Sequence, residues 1–342
     1  MLGLTSSSRS EVVIRKCPHD ARRISLISTL RAKRPALYKG GECPFCPGRE
    51  FMTPKANLVL IRSGESLKFV SELGGEVSSN WLVRIFPNKY PALINRPEAK
   101  PGKRGAFSTY GYHEVLVECR EHDEGIYLSD PINVYYALLA LKERFRQLMT
   151  DEFIEYFIAI KNGGVSSGAS VPHPHMQLFA LTFTPPEVMS ELSTFEEASE
   201  CPLCSLKDVQ NLVIYDSNYF VLAAAPAPRA PFEMFIIPKR HEPSFTYISN
   251  EELKDLAEVL RLALLAVRNY LKTDYNLWLH TAPKNVSKYH WHIELLPATT
   301  RWGGFEKGTG VYLTTTVPED AASELRGFIS ELVSSDTLRA QQ

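Results

Sequence analysis

The sequence predicts an α+β fold made of two tandem units, each an antiparallel β-sheet packed with helices. Three observations lead to this prediction. A Cys-Pro-x-Cys pair, a lone histidine and a His-x-His follow one another in the same order in both halves, as in a duplicated unit. Each half also places one long helix between these landmarks. Strand-like segments mix with the helices without strict βαβ alternation, which favours antiparallel sheets.

Two long helices are predicted, one in each half. The first covers residues 132–149, where Asp130 can cap the helix and Pro131 suits the first helical position. Its apolar residues recur at three- and four-residue steps, so one face should be buried. The second covers residues 251–271 and opens on a capping box formed by Ser249 and Glu252.

Strands are predicted where short segments rich in β-branched or aromatic residues are bounded by Gly or Pro. These segments are residues 114–118, 156–160, 177–181, 233–237 and 292–296. The polar stretch 185–200 lacks strand character, and we expect the domain boundary there. Residues 1–190 then form the first, catalytic unit and residues 195–342 the second.

The composition restricts the function classes. The chain has 342 residues, of which 44% are hydrophobic and 23% charged, as in soluble globular proteins. A formal net charge of -1 argues against a non-specific nucleic-acid binder. No apolar run is long enough to span a bilayer, and charged residues occupy the first 20 positions where a signal peptide needs an apolar stretch. We expect a cytoplasmic protein without nucleic-acid or membrane partners.

Four of the six cysteines form two identical frames, Cys43-Pro44-Phe45-Cys46 and Cys201-Pro202-Leu203-Cys204. In a reducing cytosol such pairs indicate metal ligands or redox centres before structural disulfides. Zinc takes four tetrahedral sulfur and nitrogen ligands, so histidines would complete each pair. The alternative is a turn with two buried cysteines. Cys119 is expected to be a small core residue.

Side chains alternate on an extended chain, so both rings of a His-x-His point to one face. His173, His175 and Gln177 therefore share a face if they lie on a strand, and Pro174 places His173 at the entrance or edge of that strand. Residues 290–294 repeat the pattern. One histidine held by metal can thus lie beside a second imidazole able to attack. The alternatives for His175 are a second metal ligand or a buried polar residue.

A loop of small polar residues precedes these histidines. Residues 162–170 are rich in Gly and Ser, so backbone N–H groups there can approach an anion closely. The loop matches neither a Walker loop nor a dinucleotide fingerprint. Alone it would most often be an ordinary loop. Together with His-Pro-His-x-Gln, it indicates a phosphate site beside a nucleophile.

Residues 162–177 resemble the active-site signature of the galactose-1-phosphate uridylyltransferase branch of the histidine-triad superfamily, Gly-x-Ser-x-x-His-Pro-His-x-Gln. Further matching segments are residues 31–35, 43–46, 86–93, 231–233, 238–241 and 303–306, so the resemblance covers roughly residues 20–320. It implies two tandem histidine-triad-like domains. With its two Cys-x-x-Cys pairs the chain most resembles the branch with two such zinc sites, which includes ADP-glucose phosphorylase-like proteins.

The resemblance implies two zinc sites. The ligands it implies for the first site are Cys43, Cys46, His122 and His173, and those for the second are Cys201, Cys204, His241 and His290. His122 is assigned over His113 because the lone histidine of the family follows the strand that ends at Cys119. The alternative for His122 is a solvated loop histidine. Bacterial-type relatives use a Glu and three histidines at the second site, and iron is an alternative occupant there.

The resemblance also implies the remaining site residues. His175 is the nucleophile, with Ser170 and Gln177 next to the phosphates. The substrate-binding positions are Arg31, Arg34, Asn88, Asn162, Gly168, Ser170, Gln177, Gly304, Phe305 and Glu306. Without the resemblance, Arg31 and Arg34 would be taken as surface charges. His292 is the counterpart of His175 without its role, so only the first copy should carry the nucleotide. A homodimer is a family expectation.

The predicted reaction is a double displacement. Neutral His175 attacks the α-phosphorus of a nucleotide sugar, and a sugar 1-phosphate then accepts the nucleoside monophosphate. Its other ring nitrogen should donate to a backbone carbonyl, and the N–H groups of residues 168–170 should face the phosphoryl oxygens. UDP-glucose and galactose 1-phosphate, the substrates of a hexose-1-phosphate uridylyltransferase of galactose metabolism, are the leading pair. The alternatives are a nucleotide-sugar or dinucleoside-polyphosphate phosphorylase that uses inorganic phosphate, and a zinc-stabilised binding module without turnover.

Overall fold

An 11-stranded sheet, whose strand pairs are all antiparallel, carries the fold. The computed structural model describes residues 12–33, 41–75, 79–103 and 105–340. The strands are β1 (Val12–Cys17), β2 (Asp20–Ser28), β3 (Leu58–Ser63), β4 (Ser66–Val70), β5 (Trp81–Pro87), β6 (Gly111–Val117), β7 (Tyr156–Gly163), β8 (His175–Leu181), β9 (Val213–Asp216), β10 (Phe220–Ala224), β11 (Met234–Pro238), β12 (Tyr275–His280) and β13 (His292–Pro297). The helices are α1 (Glu124–Tyr127), α2 (Pro131–Leu148), α3 (Pro186–Glu197), α4 (Pro202–Leu206), α5 (Asn250–Leu265), α6 (Gly304–Thr309) and α7 (Pro318–Ala340).

The strand order is β4-β3-β5-β6-β8-β7-β12-β13-β11-β10-β9, with β1 and β2 in a separate hairpin. Strands of the first half therefore lie on one side of the sheet and those of the second half on the other. The halves meet where β7 pairs with β12, with Asn162 opposite Asn276. The α+β fold with antiparallel sheets is confirmed. The two halves share one sheet, and the division into units at residues 190–195 stays a prediction.

Helices α2 and α5 pack on each other and bury a core shared by both halves. Asp130 accepts a hydrogen bond from the Ile132 N–H at 2.8 Å, so α2 begins as predicted. Its apolar stripe, residues 134, 138, 141, 145 and 148, is buried throughout. The capping box of Ser249 and Glu252 is present at the start of α5. None of the helices among the described residues is long and apolar enough to cross a membrane.

The structure differs from the predicted elements in several places. The second helix stops being α-helical at Leu265, and Ala266–Leu271 form a π-helical turn. Strand β6 begins three residues before the predicted start, and β7 extends to Gly163. Within the polar stretch 185–200, α3 buries Val188, Leu192 and Phe195, whose spacing puts them on one face of a helix. This segment is thus a packed element, because three apolar residues suffice to anchor a mostly polar helix.

Candidate active site

The side chains of Cys43, Cys46, His122 and His173 converge, with one ligand atom from each within 4.8 Å of the others. Cys46 Sγ lies 3.4 Å from His122 Nδ1 and 3.6 Å from His173 Nδ1. Zinc bonds of about 2.3 Å to sulfur and about 2.0 Å to nitrogen put tetrahedral S and N ligands about 3.5 Å apart. The donor set and its spacing therefore fit a tetrahedral metal ion.

The hydrogen bond of His173 directs its Nδ1 to the metal-binding group. Its Nε2–H donates to the backbone carbonyl of Cys119 at 2.9 Å, so Nδ1 keeps its lone pair on the side of Cys46. Burial lowers the pKa of His173 to about 4, which keeps the ring neutral near pH 7. Burial raises the pKa of Cys43 to about 11, so its thiol loses the proton only in exchange for a cation. Cys119 itself is buried, as predicted.

The second Cys2His2 group repeats this arrangement with Cys201, Cys204, His241 and His290. His290 Nδ1 lies 3.4 Å from Cys201 Sγ and 3.5 Å from Cys204 Sγ, and His241 Nδ1 lies 3.6 Å from Cys204 Sγ. The Nε2–H of His290 donates to the carbonyl of Pro238 at 3.0 Å. Burial lowers the pKa of His290 to about 3. Both predicted ligand sets are thus assembled, with the same tautomer at the buried histidine.

His175 is the first residue of β8, and its orientation depends on its neighbour. Its Nδ1–H donates to the backbone carbonyl of His173 at 2.8 Å, which is the predicted bond to a carbonyl. The ring is therefore held in the Nδ1–H tautomer, and Nε2 carries the lone pair. Because the His173 ring belongs to the metal group, fixing this residue also fixes the carbonyl that orients His175.

A cavity of about 250 Å³ opens beside His175. Phe45, inside the first Cys-x-x-Cys turn, meets the His175 ring edge-on with centroids 5.3 Å apart. The turn therefore supplies metal ligands and an aromatic wall at once. A mostly apolar cavity with a few polar groups is typical of small-ligand sites. Its lining residues are Pro44, Phe45, Met52, Thr53, Pro54, Phe86, Asn88, Lys89, Tyr90, Val115, Ser170, Val171, His175 and Gln177.

Two polar lining residues, Asn88 and Gln177, are anchored from behind the cavity. Asn88 Oδ1 accepts a hydrogen bond from the Tyr90 backbone N–H at 2.8 Å. The backbone N–H of Asn88 donates to the backbone carbonyl of His113, also at 2.8 Å. Gln177 Oε1 lies 3.1 Å from Nε2 of His113. The His113 ring stacks on Phe179 with centroids 4.1 Å apart. The polar part of the cavity wall is therefore supported by a buried histidine that the sequence analysis set aside.

The Gly/Ser loop differs from its predicted conformation. The Gly168 N–H donates to the carbonyl of Val165, and the Ala169 N–H donates to the carbonyl of Gly164, both at 3.0 Å. These two N–H groups are engaged within the loop, so the expectation that both face a phosphate is wrong for this conformation. Ser170 does line the cavity. The loop closes on itself because Gly164 and Gly168 take positive φ angles of 91° and 88°.

The second half of the chain holds this loop in place. The Asp274 carboxylate accepts two hydrogen bonds from Ser166. One comes from the backbone N–H at 2.7 Å and the other from the hydroxyl. Asn276, on β12, donates to the carbonyl of Ser167 at 2.9 Å and to Oδ1 of Asn162 at 2.8 Å. These contacts join residues more than 100 positions apart, and no local sequence pattern predicts them.

The structure separates the predicted substrate-binding residues into groups. Asn88, Ser170 and Gln177 line the cavity, and Arg31 reaches it indirectly by donating to the carbonyl of Tyr90 at 3.1 Å. Asn162 and Gly168 belong to the anchored loop. Arg34 lies outside the described residues. Three predicted residues are on or beside the exposed helix α6 and do not line the cavity: Gly304, Phe305 and Glu306.

The second half presents a modified copy of the site. His292 Nδ1–H donates to the carbonyl of His290 at 3.0 Å, as His175 does to that of His173. Its Nε2 lies 3.2 Å from Glu294 Oε1, at the position where the first copy has Gln177. Burial disfavours a charged His292, but the hydrogen bond to Glu294 and the charges of Glu191 and Glu294 outweigh it, so the His292 pKa is raised. Arg229 forms an ion pair with Glu294.

A third group of metal-capable side chains was not predicted from the sequence: Glu191, His280, His292 and Glu294. His280 Nδ1–H donates to Glu191 Oε1 at 2.8 Å. Burial alone would raise the Glu294 pKa, but the hydrogen bond from His292 and the charges of His292, Arg229 and His280 lower it to about 2. Arg229 therefore already balances a charge that a metal ion would have to share. Only the even spacing of His292 and Glu294 signalled this cluster in the sequence.

Residues 133–340 match a family model described as "Domain of unknown function (DUF4921)". The chain is 33% identical over 338 residues to an ADP-glucose phosphorylase of Arabidopsis thaliana, covering 92% of this chain and 92% of that protein. It is 26% identical over 324 residues to a galactose-1-phosphate uridylyltransferase of Thermotoga maritima, covering 88% of this chain and 94% of that protein. These similarities extend over both halves.

Solved structures agree with the sequence similarities. A crystal structure of the Arabidopsis thaliana ADP-glucose phosphorylase with bound ADP-glucose has a TM-score of 0.72 and 33% identity, covering 92% of this chain and 98% of that one. A structure of a uridylyltransferase has a TM-score of 0.75 and 26% identity, covering 93% of this chain and 99% of that one. More than nine-tenths of the chain therefore has counterparts of similar fold among solved structures.

Proposed function

Because the chain belongs to the galactose-1-phosphate uridylyltransferase-like family of the histidine-triad superfamily, we propose that it is a nucleotide-sugar phosphorylase. It transfers the adenylyl group of ADP-glucose to inorganic phosphate through His175. The observation that carries the proposal is the His175 ring, locked in its Nδ1–H tautomer at the wall of the cavity. The 33% identity to an ADP-glucose phosphorylase supports phosphate as acceptor over the hexose 1-phosphate that the sequence analysis put first.

The reaction takes two displacements. His175 Nε2 attacks the α-phosphorus of ADP-glucose, the bond from that phosphorus to the bridging oxygen breaks, and glucose 1-phosphate leaves. An oxygen of inorganic phosphate then attacks the same phosphorus, the N–P bond breaks, and ADP leaves with His175 restored. The positive charge that the ring acquires in the adduct is stabilised by the His173 carbonyl, which already accepts its Nδ1–H at 2.8 Å.

Two lining residues serve the phosphoryl group. The Gln177 amide and the Ser170 hydroxyl can donate to the non-bridging oxygens, where negative charge gathers in the transition state. Each such donor lowers the activation free energy by roughly 3 kcal/mol, the effect seen when one oxyanion-hole donor is deleted. Lys89, the cation among the lining residues, attracts the anionic acceptor. Apolar lining residues, Phe45 among them, keep bulk water from the adduct.

We propose zinc for both Cys2His2 groups, with iron as an alternative in the second. The thiolate and imidazole donors, four to a site, match the preference of Zn²⁺. Four protein ligands leave no open position, so the ion supplies structure instead of activating water. In the first site the ligands hold His173, whose carbonyl orients His175. In the second they join the start of α4, where Cys201 is the N-cap and Cys204 lies in the helix, to His290 at the entrance of β13.

The decisive experiment is single-turnover labelling. Incubating the protein with ADP-glucose labelled in the adenine ring, without acceptor, should leave one acid-labile adenylyl group per chain. His175→Asn should leave none, since the amide cannot attack phosphorus, while its melting temperature shows that it folds. Phosphate should then release the label as ADP. If neither ADP-glucose nor UDP-glucose gives an adduct, the chain is not a nucleotidyltransferase of this type.

The second candidate is hexose-1-phosphate uridylyltransferase, which transfers uridylyl from UDP-glucose to galactose 1-phosphate. The similarity to uridylyltransferases in sequence and in fold favours it. The same adduct experiment separates the two, because here UDP-glucose labels the protein and galactose 1-phosphate, not phosphate, removes the label. A binding module without turnover would bind the nucleotide sugar and take no label.

We also propose that the protein acts as a cytoplasmic homodimer. Residues 302–317 expose a group of large apolar side chains, namely Trp302, Phe305, Val311, Leu313 and Val317. A second copy of the chain would cover this surface. In such a dimer, Gly304, Phe305 and Glu306 of one copy would reach the substrate bound by the other copy. Within one chain these residues do not line the cavity. Light scattering should give twice the chain mass, and Phe305→Asp should give the single mass.

A further inference from the structure

His113 lies behind the cavity wall and takes no part in the proposed chemistry. It is only 4% exposed and is carried by β6, two positions from Val115, which lines the cavity. The strand register puts it opposite Phe179 and diagonal to Gln177 on the same face of the sheet. Its ring stacks on Phe179 with an interplanar angle of 17°. The imidazole therefore has one fixed plane.

The hydrogen bonds of this ring fix its tautomer. A backbone N–H is always a donor, and that of Ala92 donates to His113 Nδ1 at 2.9 Å. Nδ1 therefore carries no proton, and the neutral ring has its proton on Nε2. Nε2 lies 3.1 Å from Gln177 Oε1 and 3.2 Å from Asn88 Nδ2. Asn88 Nδ2 is itself a donor, because Asn88 Oδ1 accepts from Tyr90, so the Nε2–H donates to Gln177 Oε1.

This bond decides which end of the Gln177 amide faces a ligand. Because His113 holds the carbonyl oxygen of Gln177, the NH2 group is the end of this amide left to meet a ligand in the cavity, which Gln177 lines together with His175. The terminal torsion of a glutamine is broad, so without this bond the amide samples both orientations. In the wrong one, a carbonyl oxygen meets the phosphoryl oxygens and repels them.

We infer that His113 is the positioning residue of the transfer reaction: it sets the Gln177 amide so that a donor, and never an acceptor, faces the α-phosphoryl group. The inference rests on the proposed function, since it concerns the phosphoryl contact of Gln177. His113 is not among the residues that line the cavity, and its effect on the phosphoryl group passes through its hydrogen bond to Gln177. The recognised ligand chemistry is an anionic phosphoryl group with at least one non-bridging oxygen toward β8.

Two variants separate the hydrogen bonds from the packing. His113→Phe keeps a flat ring on Phe179 and removes both hydrogen bonds. His113→Gln keeps an acceptor and a donor separated by one carbon atom, as in imidazole, so it can accept from Ala92 and donate to Gln177. At saturating ADP-glucose, His113→Phe should slow adduct formation about 10-fold, the factor that corresponds to one lost hydrogen bond. Its Kd for ADP-glucose should change less, and His113→Gln should recover most of the rate.

A double-mutant cycle with Gln177→Leu provides the test. If His113 acts through Gln177, His113→Phe has no further effect on the rate once the amide is gone. Equal slowing in both backgrounds, an unchanged rate in His113→Phe, or a failure of His113→Gln to recover activity would overturn the inference. A wild-type protein that forms no adduct would refute the proposed function instead. In that case, 15N NMR still tests the inference, because a protonated Nδ1 at His113 contradicts the assigned tautomer.

Discussion

Replacing Asp274 should loosen the Gly/Ser loop and slow adduct formation without touching a residue of the cavity. The carboxylate accepts the Ser166 N–H at 2.7 Å and the Ser166 hydroxyl, and its Oδ1 fills the space in front of Gly164. A hydrogen bond to a charged group contributes about 1.5–3 kcal/mol, and partial exposure puts this one at the lower end. Asp274→Ala should therefore destabilise the loop by about 1.5 kcal/mol. The rate of adduct formation should fall about 10-fold as a result.

The assay is single-turnover labelling with ADP-glucose, run beside thermal melting. Asp274→Asn retains an acceptor oxygen and should stay close to the wild-type rate. Asp216→Ala is the matched control, since it removes only the exposed ion pair with Lys239, 2.6 Å long, and exposed pairs contribute little. Gly164→Ala should reproduce the Asp274→Ala defect, because its Cβ would lie 1.8 Å from Asp274 Oδ1 at a φ of +91°. A wild-type rate in Asp274→Ala would refute the claim that the second half holds the loop.

Three further predictions concern the metal groups, the second copy and the core. Cys46→Ser should lose one bound zinc by elemental analysis and, with it, adduct formation, because His173 no longer fixes the carbonyl that orients His175. Cys204→Ser should also lose one zinc and lower the melting temperature by roughly 10 °C, while the remaining folded protein still forms the adduct. Arg84→Met should destabilise the protein by about 3–5 kcal/mol in urea unfolding, because it leaves Glu72, 1% exposed, as an unpaired buried charge.

The sequence predicted those parts of the site that depend on local pattern. A Cys-x-x-Cys turn and a His-x-His strand entrance are local patterns, so two thiolate pairs and two pairs of histidines on one face could be predicted from the residues, while the four-residue ligand sets that the structure assembles were implied by the family resemblance. The bond from His175 to a backbone carbonyl follows from the same local geometry. The choice of His122 over His113 needed the family resemblance, because a lone histidine has no local signature. The buried face of α2 could likewise be predicted from the spacing of its apolar residues.

What the sequence could not predict depends on strand register and on contacts between the halves. Gln177 meets His113 only because β6 pairs with β8 so that residues 113 and 179 are opposite each other. Ser166 meets Asp274 only because β7 pairs with β12 at the centre of the sheet. A shift of either register by one residue would turn the partner side chain to the other face. The internal hydrogen bonds of the loop at Gly168 and Ala169 also escaped prediction, because they require the positive φ angles of two glycines.

The comparison of the two copies explains why a duplicated frame should carry only one nucleotide. Both His175 and His292 donate Nδ1–H to a carbonyl two residues earlier, so the tautomer alone does not distinguish them. The difference lies two residues later, where Gln177 offers a neutral amide and Glu294 a carboxylate whose pKa is about 2. Glu294 occupies His292 Nε2 at 3.2 Å and would repel phosphoryl oxygens, and Arg229 balances its charge from within the protein. The difference between Gln177 and Glu294 therefore decides the role of the histidine two residues earlier. In the first copy Nε2 of that histidine can attack, whereas in the second copy it contacts a carboxylate of a structural ion network.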